Sequence, residues 1–147
     1  MKEMFITTLS LAHLEQLYDL EQLCFVAPWS RDSYQREFSE NNLAHYFGVW
    51  QEQRLLAFGG FWQILDEGHI TNVAVHPGCR RLGLAQLLIA HMRAACLTLG
   101  GSTMTLEVRE SNIAARRLYE KMGFATAGIR PHYYENGENA VIMWSRI

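Results

Sequence analysis

The sequence predicts an α/β (α+β) domain over residues 1–147, with a mixed, mostly antiparallel central sheet and flanking helices. Three observations support this fold class. Short apolar runs between residues 46 and 75, separated by polar turns, are typical of an antiparallel meander. After residue 76, helical patterns alternate with short strands, which is typical of crossover helices joining parallel strands. Finally, 49% hydrophobic and 19% charged residues favour a globular core over a disordered chain.

The first half of the chain predicts one strand, two helices and then the meander. Ser10 and Ser30 are suited to cap helix N-termini, because a serine hydroxyl accepts a hydrogen bond from a backbone N–H of the first turn. Trp29 precedes the second cap and can pack on Tyr34 as a hydrophobic staple. Either this contact only fixes how the chain enters the helix, or both helices form one wall of a substrate groove. The expected elements are strands at 4–8, 46–50, 55–63 and 70–75 and helices at 11–23 and 31–38.

The second half predicts two more helices and three more strands. Gly100 and Gly101 end the first helix, and Gly123 ends the second. The expected elements are helices at 84–99 and 112–122 and strands at 103–108, 124–129 and 140–146. Strands 70–75 and 103–108 are expected to run side by side and parallel. If they splay, their free N–H and C=O groups face a gap.

The stretch from His76 to Leu88 is where a strand gives way to a helix and is the main candidate binding site. Unpaired N–H groups and the helix dipole favour anions at such a helix start. Gly83 has no Cβ, so a ligand can approach its backbone closely. The spacing Arg80-x-x-Gly83-x-Ala85 lacks the lysine of a nucleoside-triphosphate loop and the three glycines of a dinucleotide loop. The sequence therefore predicts a different kind of phosphate site.

This spacing resembles the pyrophosphate loop of the GCN5-related N-acetyltransferases (GNAT), Gln/Arg-x-x-Gly-x-Gly/Ala. The runs LEVRESN at 106–112 and LYEKMGF at 118–124 extend the resemblance over nearly the whole chain. Pro28-Trp29-Ser30, the strand at 72–75, and Arg130 with Tyr133-Tyr134 look like the RimI branch, the bacterial ribosomal-protein-alanine N-acetyltransferases. The resemblance implies a GNAT fold, in which the central sheet contains splayed parallel strands.

The resemblance also implies a cosubstrate and an acceptor. Acetyl-coenzyme A (acetyl-CoA) would donate acetyl to the α-amine of a protein N-terminus, an alanine of a small-subunit ribosomal protein. A pantetheine arm, which carries amide groups, would fill the gap between the splayed strands. By resemblance, the coenzyme lies against the backbone of two segments, with one asparagine contacting it further along. These residues are Val73, Ala74, Val75, Arg81, Leu82, Gly83, Leu84, Ala85, Gln86 and Asn112.

Glu107 and Tyr119 are the candidate catalytic residues. Glu107 lies in an otherwise apolar strand, where a carboxylate is costly unless it faces a wet cleft, and it matches the family's general base. By spacing alone Tyr119 is better explained as a core aromatic, but by resemblance it is the acid that serves the departing thiolate. We expect direct attack of the amine in a ternary complex. Cys79, beside two arginines, is the alternative nucleophile.

The acceptor site is expected between a late hairpin and the helix pair. Arg130, His132, Tyr133 and Tyr134 would border it on one side and Trp29 on the other. Three acidic residues could attract a basic peptide tail, or could be an ordinary solvated surface. They are Glu110, Glu135 and Glu138.

Composition excludes several other classes. A net charge of −2 gives no broad field for DNA or RNA, and no apolar run is long enough to span a membrane or act as a signal peptide. Three widely spaced cysteines argue against a disulfide framework, and the histidines form no metal-ligand pattern, so we expect a cytoplasmic protein without a metal. Two alternatives remain: an acetyltransferase for a small amine or a lysine side chain, and a non-catalytic acyl-CoA-binding module.

Overall fold

The computed structural model describes residues 3–147, in which seven strands form one sheet with helices on both faces. The sheet order is β1-β2-β3-β4-β5-β7-β6. The strands are β1 (Met4–Thr8), β2 (Ala44–Gln51), β3 (Arg54–Ile64), β4 (Glu67–Val75), β5 (Thr103–Arg109), β6 (Ala125–Arg130) and β7 (Ala140–Arg146). The α-helices are α1 (Leu14–Cys24), α2 (Arg31–Glu40), α3 (Leu84–Thr98) and α4 (Ile113–Lys121).

The expected mixed, mostly antiparallel sheet is confirmed. Every pair of neighbouring strands is antiparallel except β4 and β5, which run parallel. Element limits differ from the prediction by a few residues. β4 begins three residues earlier than expected, because the turn after β3 is short: Ile64 already pairs with Glu67. The first helix begins with a 3₁₀ turn at Leu11–His13 and becomes α-helical at Leu14.

Of the two predicted serine caps, the one at Ser30 is confirmed, and an asparagine caps a further helix. The Ser30 hydroxyl accepts the Ser33 N–H at 3.1 Å at the start of α2. The Asn112 side-chain oxygen accepts the Ala115 N–H at 3.2 Å at the start of α4. The Trp29 ring lies 5.1 Å from the Tyr34 ring, so the expected staple forms.

Two apolar clusters cover the two faces of the sheet. On one face, α1 and α2 pack on β2, β3 and β4 through side chains such as Leu17, Tyr34 and Phe58. On the other face, α3 packs on the sheet through Leu88 and its neighbours. Side chains from β5 and β7 and from α4 complete this second cluster. The sheet therefore has a helix-pair face, defined by α1 and α2, and a coenzyme-loop face, defined by α3 and α4.

The parallel pair separates along its length. β4 and β5 are paired only between residues 67–69 and 103–105, although β4 continues to Val75 and β5 to Arg109. A β-bulge lies directly after the last pair: Gly60 pairs with Asn72 and Phe61 with Ile70, so Thr71 is an extra residue in β4. Bulges bend the strand and increase its twist. The bulge therefore accounts for the splay at this point, which confirms the expected gap.

Gly60 allows the strand to accommodate this bulge beside a large aromatic ring. A Cβ added at Gly60 would lie 2.5 Å from the Tyr46 ring, which is itself only 2% exposed. Since that ring is held by the surrounding core, it has little room to move aside. A side chain at position 60 is therefore sterically excluded by the same packing that orders the helix-pair face.

The core on the coenzyme-loop face can be tested with two leucines of α3. Leu88 is 0% exposed and Leu97 is 59% exposed. We expect Leu88→Ala to lower the free energy of unfolding by about 2–5 kcal/mol through lost burial and a residual cavity. Leu97→Ala, the matched control with the same change of helix propensity, should change it by less than about 0.5 kcal/mol. Urea denaturation measures both, and equal losses would contradict this description of the core.

Candidate active site

The backbone of β4 directs polar groups into the gap. His76 N–H donates to Leu56 C=O at 2.8 Å, so this residue faces β3. Backbone groups of an antiparallel pair point alternately toward and away from the partner strand. Val73 and Val75 therefore direct their N–H and C=O groups away from β3 and toward β5. The Val75 C=O accepts a hydrogen bond from the Cys24 thiol at 3.3 Å, which agrees with a carbonyl that does not pair with β3.

The backbone of β5 faces the same gap from the other side. Glu110 N–H donates to Asn139 C=O at 3.1 Å, in register with the β5–β7 ladder. By the same alternation, Glu107 and Arg109 direct their backbone groups away from β7 and toward β4. The gap is thus bordered by hydrogen-bonding backbone groups on both sides, a suitable environment for an extended, amide-bearing ligand.

The side chain of Glu107 emerges on the helix-pair face. Its neighbours Leu106 and Val108 are buried in the cluster on the coenzyme-loop face, and successive side chains of a strand point to opposite faces. Helix α1 packs on β3 and β4. The Glu107 side chain remains 30% exposed, beside the end of the sheet that α1 covers. A substrate can therefore reach this carboxylate from solvent.

The predicted phosphate loop forms the start of α3. Gly83 is the N-cap residue, with a left-handed backbone at φ 77° and ψ 17°. A Cβ added there would meet nothing within 4 Å, so the space over its backbone is open. Arg81 is also left-handed, with φ 66°, a conformation that is costly for a residue with a side chain. Such strain is typical of a loop shaped for a ligand.

The other predicted loop residues divide by their exposure. Leu82 is 61% exposed, whereas the Leu84 side chain is 2% exposed and belongs to the core. Ala85 and Gln86 are half-buried. Leu84 can therefore offer a ligand its backbone N–H but not its side chain. Because N–H groups of a helix's first turn have no partner within the helix, they can bind a diphosphate together with the dipole.

Two predicted coenzyme residues already have partners within the protein. Ala74 lies between Val73 and Val75, but its backbone faces β3 and its side chain is buried on the helix-pair face. The side-chain oxygen of Asn112 caps α4. Of the three β4 residues, Val73 and Val75 are therefore the ones whose backbone groups are directed into the gap.

Glu107 lies next to the hairpin between β6 and β7. Its Oε2 atom is 3.6 Å from Arg130 Nε. Burial raises the pKa of Tyr133, and the charge of Glu107 and a hydrogen bond to it raise that pKa further. The Arg130 guanidinium lies 5.7 Å from the Tyr133 ring centroid. The late hairpin therefore places a cation and a phenol beside this carboxylate.

Tyr119 approaches the site from the coenzyme-loop face. It lies on α4, packs against the core, and its ring is 5.8 Å from that of Phe124. Burial, followed by the proximity of Tyr134, raises the pKa of Tyr119 to about 12. Burial raises the pKa of Tyr134 in turn, and the Glu107 charge raises it further, whereas the Arg109 charge opposes this shift. Tyr134 thus interacts electrostatically with both Tyr119 and Glu107.

Arg109 fixes the loop between β6 and β7. Its guanidinium lies 2.6 Å from Glu135 and 3.3 Å from Glu138, and 4.1 Å from the Tyr134 ring centroid. Glu138 also accepts the Ser111 N–H at 2.7 Å. Because Arg109 compensates both carboxylates, they offer a basic peptide tail less attraction than their sequence pattern indicated. Sequence reasoning missed this role, since the partners are more than twenty residues apart.

Cys79 is not placed to act as a nucleophile. It is 8% exposed and belongs to the core cluster on the coenzyme-loop face. The three cysteines are free, in agreement with the expectation that they form no disulfide framework.

Two buried carboxylates, Glu21 and Glu37, were not predicted at all. They are 2% and 6% exposed and lie beneath the helix-pair face. The available signal was the position of Glu21 on the apolar side of α1, four residues after buried Leu17. Its partners come from other parts of the chain, so the sequence pattern alone could not supply them.

A sheet that opens between two parallel strands, beside a helix N-terminus suited to anions, is the architecture of the GNAT acetyltransferases. Residues 14–124 match the family model described as the acetyltransferase (GNAT) family. The chain therefore belongs to this family. Its members use acetyl-coenzyme A as acetyl donor.

Individual relatives are similar over almost their whole length. A protein of Escherichia coli (strain K12), named ribosomal protein bS18-alanine N-acetyltransferase, is 36% identical over 143 residues, covering 94% of each chain. A Bacillus subtilis (strain 168) protein, to which the same name is given provisionally, is 36% identical over 97% of this chain and 95% of its own. The crystal structure of the E. coli ribosomal-protein-S18-alanine N-acetyltransferase superposes with a TM-score of 0.90 at 35% identity, covering 99% of this chain and 94% of that one.

The length and apolarity of the helices can be compared with those of a membrane-spanning helix. Within residues 3–147, none is both long and apolar enough to cross a bilayer.

Proposed function

We propose that this protein transfers acetyl from acetyl-CoA to the α-amine of an N-terminal alanine on a small-subunit ribosomal protein. The observation that carries the proposal is the gap between β4 and β5, which Glu107 borders from one face of the sheet, while Tyr119 packs on the opposite face. The names of the E. coli and B. subtilis relatives support the choice of acceptor. A ribosomal acceptor also places the reaction in the cytoplasm.

The coenzyme seat has two parts in this proposal. The first turn of α3, with Gly83 open above its backbone, binds the diphosphate through its N–H groups. The backbone groups of Val73 and Val75 bind the amides of the pantetheine arm, which lies in the gap like a strand inserted between β4 and β5. Arg81 and Leu82 border the diphosphate, and Ala85 and Gln86 continue the seat along the helix. Asn112 contributes mainly by fixing the start of α4.

Glu107 acts as the general base. The α-amine of a protein titrates near ~8, so about a tenth of it is neutral at pH 7 and about half at pH 8, and only a modest further push is needed. Glu107 accepts the proton that the amine loses as its nitrogen bonds to the thioester carbonyl carbon. The exposed side of this carboxylate is where the acceptor enters, on the helix-pair face.

Tyr119 stabilises the departing thiolate as a hydrogen-bond donor. A thiol has an ordinary pKa near ~8.5, so a phenol with a pKa of about 12 is the weaker acid by more than a thousandfold. Complete proton transfer from the phenol to the sulfur is therefore uphill. A hydrogen bond directed at the developing charge lowers the barrier without that transfer. We thus propose a narrower role than the full acid that the family resemblance implied.

The acceptor is held between Trp29 and the Tyr133–Tyr134 pair. Trp29 is 38% exposed and Tyr133 is 50% exposed, so both rings present apolar area to a ligand. An α-amine is favoured over lysine because its pKa is lower by about 2 units. A small amine or a lysine side chain remains the second candidate, since the exposed position of Glu107 would admit either.

Replacement of the base gives the direct test of this mechanism. We expect Glu107→Gln to lower kcat for a peptide that begins with alanine by about 10² or more, because the amide cannot accept the proton. Glu40→Gln, at an exposed glutamate that ends α2, is the matched control and should remain within about twofold. Acetyl transfer is followed with the free peptide and with its N-terminally blocked twin.

The outcome separates three functions. Transfer to the free peptide alone, lost in Glu107→Gln, agrees with the proposal. Faster transfer to polyamines or to lysine side chains would replace it with the second candidate. Coenzyme binding without transfer to any amine would indicate a binding module.

The pH dependence tests Tyr119. Because the acceptor amine titrates near ~8, kcat/KM should rise with pH and level off above that value. Tyr119 keeps its proton until a pH of about 12, so its loss should cause no falling limb below pH ~10. Tyr119→Phe should lower kcat at every pH and leave the profile's shape unchanged. A falling limb between pH 8 and 9 that disappears in Tyr119→Phe would show that the phenol titrates far lower.

A further inference from the structure

The buried carboxylate Glu21 connects two parts of the site that are distant in sequence. Its Oε2 atom accepts the backbone N–H of Trp29 at 2.9 Å, and its Oε1 atom accepts the Tyr34 hydroxyl at 2.7 Å. The same Tyr34 oxygen accepts an N–H from the Asn72 side chain at 2.7 Å. A continuous hydrogen-bonded chain therefore runs from Trp29, between α1 and α2, to Asn72 on β4.

Both ends of this chain lie at functional positions. Asn72 follows the bulged residue Thr71 and precedes Val73, whose backbone faces the gap. Trp29 is partly exposed, and its ring packs on the ring of Tyr34. The end of α1 is also held at the gap, through the contact from Cys24 to Val75 O. The loop that carries Trp29 is thus attached to the gap-lining strand at two points.

Burying a carboxylate at position 21 costs desolvation free energy. Burial raises the pKa of Glu21, and the hydrogen bonds from Tyr34 and the Trp29 N–H offset only part of that effect. An apolar side chain of similar size would pack at position 21 without this desolvation cost. What an apolar side chain lacks is the two acceptor oxygens, which fix the Trp29 backbone and the Tyr34 hydroxyl relative to each other. Glu21 therefore lowers the folding stability of the protein but fixes the geometry of the Trp29 backbone and the Tyr34 hydroxyl.

We propose that Glu21 and Tyr34 are positioning residues for the acceptor: through Asn72 they hold the Trp29 loop in register with the gap-lining strand. This inference rests on the proposed function, because it takes the acceptor to enter beside Trp29. Neither residue touches the reacting atoms. Their loss should weaken acceptor binding and leave coenzyme binding and the chemical step largely intact.

The chain offers a closely matched control in a second buried tyrosine. Tyr34 and Tyr46 are 0% and 2% exposed, and each donates its hydroxyl to a buried glutamate. Tyr46 donates to Glu37 at 2.8 Å, which also accepts the Trp62 indole N–H at 2.7 Å. This second network also reaches β4, where Thr71 Oγ1 lies 3.4 Å from the Tyr46 oxygen, but it includes neither Glu21 nor Trp29. Removing either hydroxyl should therefore lower the Tm by a similar amount.

The test compares Tyr34→Phe with Tyr46→Phe. We expect Tyr34→Phe to raise KM for the alanine peptide about tenfold. KM for acetyl-CoA and kcat should stay within about twofold, because the lost interaction binds the acceptor equally well in the ground state and in the transition state. Tyr46→Phe should leave all three constants within about twofold. In a Trp29→Leu background, Tyr34→Phe should add less than about twofold, because the residue through which it acts is already gone.

A second readout does not depend on the acceptor. Protein labelled with 5-fluorotryptophan gives a fluorine resonance for Trp29, assigned by its absence in Trp29→Leu. We expect this resonance to shift or broaden in Tyr34→Phe and in Glu21→Gln, and to remain in place in Tyr46→Phe.

The outcomes distinguish this inference from the proposed function. Equal KM changes in the two tyrosine variants, or an unchanged Trp29 resonance in Tyr34→Phe, would overturn the positioning role even if the enzyme acetylates the peptide. Wild-type protein that binds coenzyme but acetylates no peptide would overturn the proposed acceptor, and with it the role of Tyr34 in acceptor binding.

Discussion

Hydrogen-bond pairing between β4 and β5 ends at His69 and Thr105, and the remaining length of both strands borders a gap. Buried backbone N–H and C=O groups need hydrogen-bond partners. Strands that separate inside a sheet therefore leave unpaired groups that destabilise the free protein, and a ligand can pair with them. The Thr71 bulge produces this separation, and Gly60 makes room for the packing around it. The proposed coenzyme seat is therefore a consequence of strand geometry more than of particular side chains.

Separation of the strands also gives the two faces of the sheet different roles. The coenzyme-loop face supplies the start of α3 and the buried phenol of Tyr119, which suit a charged coenzyme and its thiolate. The helix-pair face presents Glu107 to solvent and carries Trp29 on a loop fixed by Glu21. An acceptor amine and a thioester can thus meet in the gap from opposite sides, and neither has to displace the other.

Much of this arrangement follows from local sequence signals. Apolar runs, serine and glycine caps and the spacing around Gly83 predict the strands, the helices and the anion-binding loop, because each depends on neighbouring residues. The Thr71 bulge and the partners of Glu21 depend on side chains far along the chain, and no local pattern encodes them. For the same reason the sequence indicated that Glu135 and Glu138 belong to a free acidic surface, whereas in the structure Arg109 forms ion pairs with both.

Residue-resolved amide hydrogen exchange, with and without coenzyme A, tests most directly whether the gap is the coenzyme seat. The amides of Val73 and Val75 should exchange rapidly in the free protein and slow by about tenfold or more when coenzyme is bound, because each gains a hydrogen bond. Ala74 and His76, whose N–H groups face β3, are internal controls and should be protected in both states. Strong protection of Val73 and Val75 without coenzyme, or no change on binding, would contradict the account.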